Sequence, residues 1–412
     1  MTALKRNFIL ALCFIAPFLC LTLLALHYQR EEIQQRRDHD LRQAIKSDNL
    51  RGVVLALQQG ADPNCRETAR DGRSLWQRAR QWFRPVAYHG DPLRSALTIA
   101  VGRDVGDPLE TDSRRFAILK ALHDAGAIAE GDAPEFRAAL AALPPAGGPT
   151  ANAIPASWTQ NTQGARDGLQ TFLREKGMSA QAFRQLGRVF LQSDYYDAAE
   201  RCFEIALLWQ TNDPQSRVGL AQTQDANRVV EEVTRLRTDK RAAIAARLYA
   251  EEPGRRVWVT LCARETYYRF DESFARLGLY AEQGGAFRLL SESNVFYNGE
   301  SALAVAPVTG KAAPEIVLAT WINPGDSGET TLEIFAVPSG HLRRIFKLDS
   351  SGEIYLESLR RDRRYEAVSE DSCMDYHSQD KPAPWRKTTY AYNGKTFVLS
   401  RRARIEKPCE EP

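Results

Sequence analysis

The run "FILALCFIAPFLCLTLLALHY", residues 8–28, carries no charged side chain. As a helix it spans roughly 30 Å, the thickness of a bilayer's hydrocarbon core. Lipid offers no hydrogen bonds, so a backbone in that setting must satisfy itself, which a helix does and an open strand does not. Pro17 at mid-span is tolerated in a membrane helix. Lys5 and Arg6 precede the run and favour a cytoplasmic N-terminus, an asymmetry that Arg30, Arg36 and Arg37 on the far flank weaken. The run exceeds the apolar core of a cleaved leader, and "LLALHYQR" offers no small-x-small cleavage site. Cys13 and Cys20 each follow a leucine, so neither resembles a lipoprotein acceptor. The expectation is an uncleaved signal anchor at 8–28, with a cytoplasmic tail at 1–7 and a juxtamembrane stretch at 29–39. The body would lie outside the cytoplasm, in the periplasm if the membrane is a bacterial inner membrane.

The remainder reads as folded protein: 43% hydrophobic and 26% charged residues over 412 positions, enough for two to four domains. Its 55 basic and 52 acidic residues are well mixed, whereas nucleic-acid binders concentrate positive charge on one face. No nucleic-acid partner is expected. The cluster Arg360, Arg361, Arg363 and Arg364 is broken by Asp362 and reads as a solvated strand end or turn.

From residue 40 the text is "DLRQAIKSDNLRGVVLALQQGADPN". Leu41, Ala44 and Ile45 give one short apolar face, and Leu50, Val53, Val54 and Leu57 a second at helical spacing. Ser47, Asp48 and Asn49 separate them and supply a cap. Gly60 provides the positive φ that ends a helix, and Pro63 blocks its resumption. A second version, "LHDAGAIAEG", occupies 122–131. On Ala44, Leu50, Val53, Leu57, Gly60, Ala61, Asp62 and Asn64 this pattern resembles the ankyrin repeat. "DGRSLWQRA" (71–79) and "SALTIAV" (95–101) are similar to that repeat's first helix, and "RRFAILKALHDAGA" (114–127) to its second helix and turn. Insertions at about 80–94 and 103–112 break the 33-residue period. Extra helices, at 134–142, would complete a degenerate repeat module over 40–142. The resemblance implies protein binding; the plainer alternative is that these helices only support a neighbouring domain.

"LPPAGGPTANAIP" opens a linker assigned to 143–163, and helical text resumes at about 164. "AQAFRQLGRVFLQSDYYDAAERCFEIALLWQTND", 180–213, resembles a tetratricopeptide repeat in its 34-residue length and in Phe183, Leu186, Gly187, Phe190, Ala199, Phe203 and Ala206. Gly187 and Ala199 are small where two helices cross, and Phe183 and Phe203 fill the adjoining space. Asp194 opens the turn between the helices, and Asp213-Pro214 marks the exit. Tyr195 and Tyr196 are open to either binding or packing. Residues 225–250 read as further helix through Val229, Val230, Val233 and Leu236, then Ala242, Ile244, Ala245 and Leu248, which sets the module at 164–250. The resemblance implies a groove for peptides, against the alternative of a helical spacer.

Past "EEPGRR" the grammar changes to short β-branched and aromatic runs separated by turn clusters such as "QGG", "PSG", "DSSGE" and "YNG". About ten strands over 251–412 predict a mostly antiparallel β domain, either a sandwich or a partial propeller. Asn393-Gly394 predicts a type I′ hairpin. "ALAVAPVTGKAAPEIVLATW" weakly resembles the FG-GAP, integrin-type blade. That family's calcium loop is acidic, whereas here no carboxylate appears between Thr309 and Glu315, so the resemblance covers shape only. Asp326 and Glu329 in "NPGDSGE" read as solvated turn residues.

No chemistry-bearing constellation emerges. The six histidines (27, 39, 89, 123, 341 and 377) form no metal or catalytic motif. His123 sits where a helix C-terminus favours a cation. No CxxC occurs among the seven cysteines (13, 20, 65, 202, 262, 373 and 409), so no structural zinc is expected. Cys373 and Cys409 either pair in an oxidising compartment or remain buried thiols. Cys373 with His377 has sequence proximity but no orienting third group. Catalytic, cofactor-binding and metal residues are therefore expected to be none. The fold class is multidomain: a transmembrane helix, two helical repeat modules and a β domain. The expected function is a non-catalytic scaffold for other proteins in the cell envelope. The alternative is an extracytoplasmic ligand- or glycan-binding β domain using Trp321, Tyr355, Trp385 and Tyr390.

Overall fold

The computed structural model describes residues 3–66, 94–102, 113–129, 131, 134–143, 158–264, 274–297, 300–321, 330–350, 353–359, 364–371 and 385–405. "DGRSLWQRA", Asp326 and Glu329, the arginine cluster up to Arg363, Cys373, Cys409, His89 and His377 lie outside them. The chain divides into two compact units, Met1–Phe136 with Thr171–Ala180, and Arg137–Gln170 with Gln181–Pro412.

The first unit begins with a single helix, α1 (Ala3–Lys46), which contains the whole of 8–28 and continues without a break into the first repeat-like face. Forty-four residues at 1.5 Å each make a rod of about 66 Å. Most side chains before Ala25 lie outside the described set, and among the described residues no helix is long and apolar enough to cross a membrane. Leu41 and Ile45, at the far end of the rod, are buried against α2 (Leu50–Gln58), whose Asn49 cap accepts from the Gly52 amide at 3.0 Å.

α3 (Ala96–Gly102), α4 (Ser113–Asp124) and α5 (Pro134–Ala141) follow. α2 and α4 end identically. Gly60 has φ +88 and Gly126 has φ +92. The Gly60 and Ala61 amides donate to Leu57 and Ala56 carbonyls, as those of Gly126 and Ala127 do to His123 and Leu122. This is the paired bonding that closes a helix on a left-handed residue. Asn64 joins the two turns, its Nδ2 donating to Gly126 O (3.2 Å) and its Oδ1 accepting from Ile128 N (2.8 Å). Asp38 of α1 accepts from the Asp62 amide at 2.8 Å, and Gln34 donates to Gly60 O at 3.0 Å. "GADPN" is therefore a clasp: it ends α2, grips α1 and meets its own second copy. Asn64→Ala should remove two bonds and destabilise this unit by about 1 kcal/mol, read from chemical denaturation of the solubilised chain.

α6 (Trp158–Lys176) starts within the stretch assigned to the linker, so that segment ends by Trp158 rather than 163. In the second unit α7 (Ala180–Gln192), α8 (Tyr196–Trp209) and α9 (Pro214–Leu236) are joined by short turns. Phe203 of α8 is fully buried. Its ring lies so close to Gly187 of α7 that a Cβ there would sit at 3.0 Å, and closer still to Gly219 of α9. Asp213 caps α9, accepting from the Gln215 and Ser216 amides ahead of Pro214.

Twelve strands follow among the described residues, in three sheets of four. Sheet I holds β1 (Arg241–Glu252), β2 (Arg255–Arg264), β3 (Phe274–Gln283) and β4 (Ala286–Phe296). Sheet II holds β5 (Glu300–Ala306), β6 (Glu315–Trp321), β7 (Thr330–Ala336) and β8 (Arg343–Ser350). Sheet III holds β9 (Glu353–Leu359), β10 (Arg364–Asp371), β11 (Trp385–Tyr392) and β12 (Phe397–Ile405). Each is an antiparallel meander in chain order, the plan of a propeller blade rather than of a two-sheet sandwich. The third and fourth strands of each sheet shift register at one place: Leu279/Tyr280, Ile334/Phe335 and Thr389/Tyr390. The spacing is 55 residues both times, an internal repeat.

The layers stack through two apolar seams. Val259, Leu261, Leu277 and Leu279 of sheet I meet Leu303, Ile316, Leu318 and Phe335 of sheet II. Val317, Leu332 and Ile334 of sheet II's other face meet Leu356, Ala367 and Phe397 of sheet III. The outer face of sheet I packs Ala243, Ala246, Trp258, Cys262 and Tyr280 on Val229 and Val233 of α9. α9 thus serves two neighbours: Gly219 faces α8, and its later turns cover a sheet.

Two further expectations need correction. Residues 242–250 are not helix. α9 ends at Leu236 and β1 starts at Arg241, ten residues before the assigned boundary of the β domain. Alanine favours helices, but Ala243, Ala245 and Ala246 are buried on both faces of a strand, where small side chains let α9 and sheet II approach. Nor is Asn393-Gly394 a type I′ turn. Tyr392 pairs with Phe397 across four residues, and only Gly394 has positive φ, whereas a type I′ turn needs two. The Asn393 side chain instead accepts from the Lys395 and Thr396 amides. The two-residue turn with both φ positive is Gly284-Gly285.

Candidate functional site

Among the described residues a buried polar cluster lies where the turn between α7 and α8 meets β1. Asp194, in that turn, takes φ +65, a left-handed conformation that aspartate tolerates better than most residues. The Tyr195 amide returns to Phe190 O, and the carbonyls of the last α7 turn need donors. Arg247 of β1 supplies them. Its Nη2 donates to Leu191 O (2.9 Å) and Gln192 O (3.2 Å), and its Nη1 to the Tyr196 hydroxyl (2.9 Å) and Ala246 O (2.9 Å). The same Nη1 lies 2.6 Å from Asp194 Oδ1. Tyr196 donates to Asp194 (2.9 Å) and accepts from the Ala246 amide (2.8 Å). A guanidinium here completes the end of one helix, positions the start of the next, and fixes both to a strand.

The electrostatics follow from burial. Burial pushes the Asp194 carboxyl up to about 6, with Arg247 and then Tyr196 pulling the other way. Burial also raises the Tyr196 phenol. The Asp194 Oδ2 atom and the Gln192 Oε1 atom are buried without a hydrogen-bond partner. The cluster has the residue types of an acid–base site but is sealed inside the fold, so its chemistry is that of a structural joint.

Two further clusters bind α9 to sheet I. Glu282 accepts from Trp258 Nε1 at 2.8 Å and pairs with Arg228 at 2.9 Å and Arg256 at 3.3 Å. At the end of α9, Arg237 pairs with Asp239 at 2.5 Å and Glu292 at 2.7 Å, and Arg241 pairs with Asp239 at 2.7 Å. The Arg237 and Arg241 bonds hold the Asp239 carboxyl below the usual carboxylate range. A depressed carboxyl contributes stability in full above the unfolded value near 3.9 and loses it as pH falls through the folded value. Asp239→Asn should therefore lower the denaturation midpoint at pH 7, with the gap to the unsubstituted chain closing as pH drops below about 4.

The residues singled out from sequence are dispersed. His27 is exposed 3.2 Å from Glu31, and His123 lies 3.2 Å from Asp124 in the last turn of α4. Cys65, Cys202 and Cys262 are buried free thiols, raised by burial, Cys65 to about 11. Among the described residues no three His, Cys, Asp or Glu lie close enough to hold a metal ion. Tyr195 packs edge-on to Phe190, and Tyr196 is in the joint. In the loop with the FG-GAP-like pattern, Glu315 turns inward. It accepts from the Val308 amide (3.0 Å), the Thr309 amide (3.2 Å) and the Thr309 hydroxyl, so a side chain organises that loop from within. Of the four aromatics offered for a ligand groove, Tyr390 packs on Phe346 between sheets II and III, and the other three side chains lie outside the described residues. By register Tyr390 pairs with Ala367, which pairs with Leu356.

No protein-family model matches this chain, and no curated protein sequence matches it.

Proposed function

We propose that the chain is a membrane-anchored, non-catalytic platform for other proteins, with 8–28 as its anchor, 1–7 in the cytoplasm and the body that follows the anchor outside it. The observation that carries this reading is the packing of Phe203 between Gly187 and Gly219, which makes α7, α8 and α9 a stack of closely crossing helices continued by a sheet. Such stacks offer extended, rigid surfaces and bind through them. The clasp turns at Gly60 and Gly126 support the ankyrin-like reading of the first unit, and the α7–α8 hairpin supports the tetratricopeptide-like one. The described polar clusters are each engaged in joining elements, which favours a platform over a reaction centre.

The test has two arms. Alkaline phosphatase fused after residue 40 should be active and a cytoplasmic reporter there silent; the reverse pattern would invert the topology. The full chain, purified from crosslinked membranes, should retain at least one envelope protein in stoichiometric amount. Recovering none would sink the platform reading. The intact chain is required, because a cut at 250 would fall within β1 and part it from its pairing partner β2.

A further inference from the structure

Sheet I carries a cationic corner that its structural role does not exhaust. Its α9-facing side is defined by Ala243, Trp258, Cys262 and Tyr280. Alternation along the strands puts Arg241, Arg264 and Arg276 on that same side, beyond the last turn of α9. Arg241 and Arg264 are direct cross-strand partners, an arrangement of like charges that opposes pairing unless anions offset it. The connection from α9 adds Arg237 and the exposed Lys240, which stands at φ +58.

Among the described residues the anions on hand are Asp239 and Glu292. Arg237 and Arg241 already share Asp239, and Arg237 and Arg276 share Glu292, the latter at only 3.7 Å. Among the described residues, and leaving Arg264 aside, four cations thus stand against two carboxylates. The Arg241 Nε–H is buried with no acceptor, and an unmade bond from a buried charged group is costly. In a chain whose net charge is only +3, this surplus is concentrated.

We propose that this corner receives carboxylates from an acidic, extended segment of a partner protein. The chemistry is set by what the corner already holds: its resident ligands are carboxylates, Asp239 gripped by the Arg237 fork and by Arg241, and Glu292 by Arg237, the bonding in which arginine forks match a planar oxyanion. The cations are spread across neighbouring strands about 5 Å apart, so they suit a row of carboxylates better than one compact anion. This rests on the platform reading and names the chemistry of one partner.

The test uses the full chain in nanodiscs of zwitterionic lipid and a fluorescein-labelled octaglutamate peptide, with octaglutamine as the neutral control. Octaglutamate should bind saturably, more weakly as salt rises, and octaglutamine should not. Lys240→Gln with Arg276→Gln should weaken binding by about tenfold. Glu292 keeps Arg237 as its partner in that variant, and an unchanged circular dichroism melt verifies the fold. Arg288→Gln, at an exposed arginine elsewhere in sheet I, should leave binding unchanged. Equal binding of both peptides, or full affinity in the double variant, would overturn the proposal. So would displacement by inorganic phosphate at concentrations where chloride has no effect, which would mark a single-anion site. If an envelope partner is captured but octaglutamate does not bind, this assignment fails while the platform reading stands.

Discussion

Replacing Arg247 with alanine should destabilise the second unit by about 3–5 kcal/mol, the usual cost of leaving one member of a buried ion pair alone. The loss goes beyond one salt bridge. Asp194 would stay buried without its cation, and the carbonyls of Leu191 and Gln192 would lose the donor that closes α7. Hydrogen exchange is the direct readout: amides at the end of α7, the start of α8 and along β1 should lose protection together. Tyr196→Phe should cost only about 1 kcal/mol, because the ring remains and the pair survives. If Arg247→Ala loosened the helices but left β1 protected, the joint would not couple them as described.

The pH dependence of this joint runs against that of Asp239. A carboxyl raised by burial binds its proton more tightly in the folded chain than in the unfolded one. Its ionisation therefore erodes stability as pH rises from about 4 to about 6, and the erosion is complete above that window. Acidifying from pH 7 to pH 5 should stabilise the second unit relative to Asp194→Asn, which has no proton to gain. The same step should leave the contribution of Asp239 intact, since its folded value is depressed.

How much of this was legible in the sequence depends on whether a feature resides in one side chain. Gly60, Asn49 and Asp213 announced their helix ends because positive φ and cap bonds each demand a few residue types. Gly187 and Phe203 announced a crossing because only a small residue admits a ring there. Gly219, the tighter contact, is not legible in the sequence because it stands in the next helix, where no local pattern points back to Phe203. β1 reads as helix in the sequence because its alanines answer to layers on both sides, and local propensity carries no record of those layers. Its one informative residue was Arg247, a lone charge within "AAIAARLYA" that a half-buried strand would not hold without a partner. The 55-residue repeat was hidden for another reason: Leu279, Ile334 and Thr389 have little in common, because a register shift is a property of the backbone ladder.

The second large effect is expected at Phe203. Truncation to alanine should cost about 3–5 kcal/mol, the sum of lost burial and an unfilled cavity. Collapse is obstructed on two sides by glycines that have no side chain to move inward. The complementary change is Gly219→Ala, whose added Cβ meets the ring at less than van der Waals separation and should cost about 1–3 kcal/mol through overpacking. Gly187→Ala, where the Cβ would lie at 3.0 Å, should cost less. Combining Phe203→Leu with Gly219→Ala should recover part of the loss, since each alone errs in volume in the opposite direction. Denaturation midpoints for the four chains decide this. Strict additivity would show that Phe203 and Gly219 do not share the space, and the close helix crossing on which the platform reading stands would fall with it.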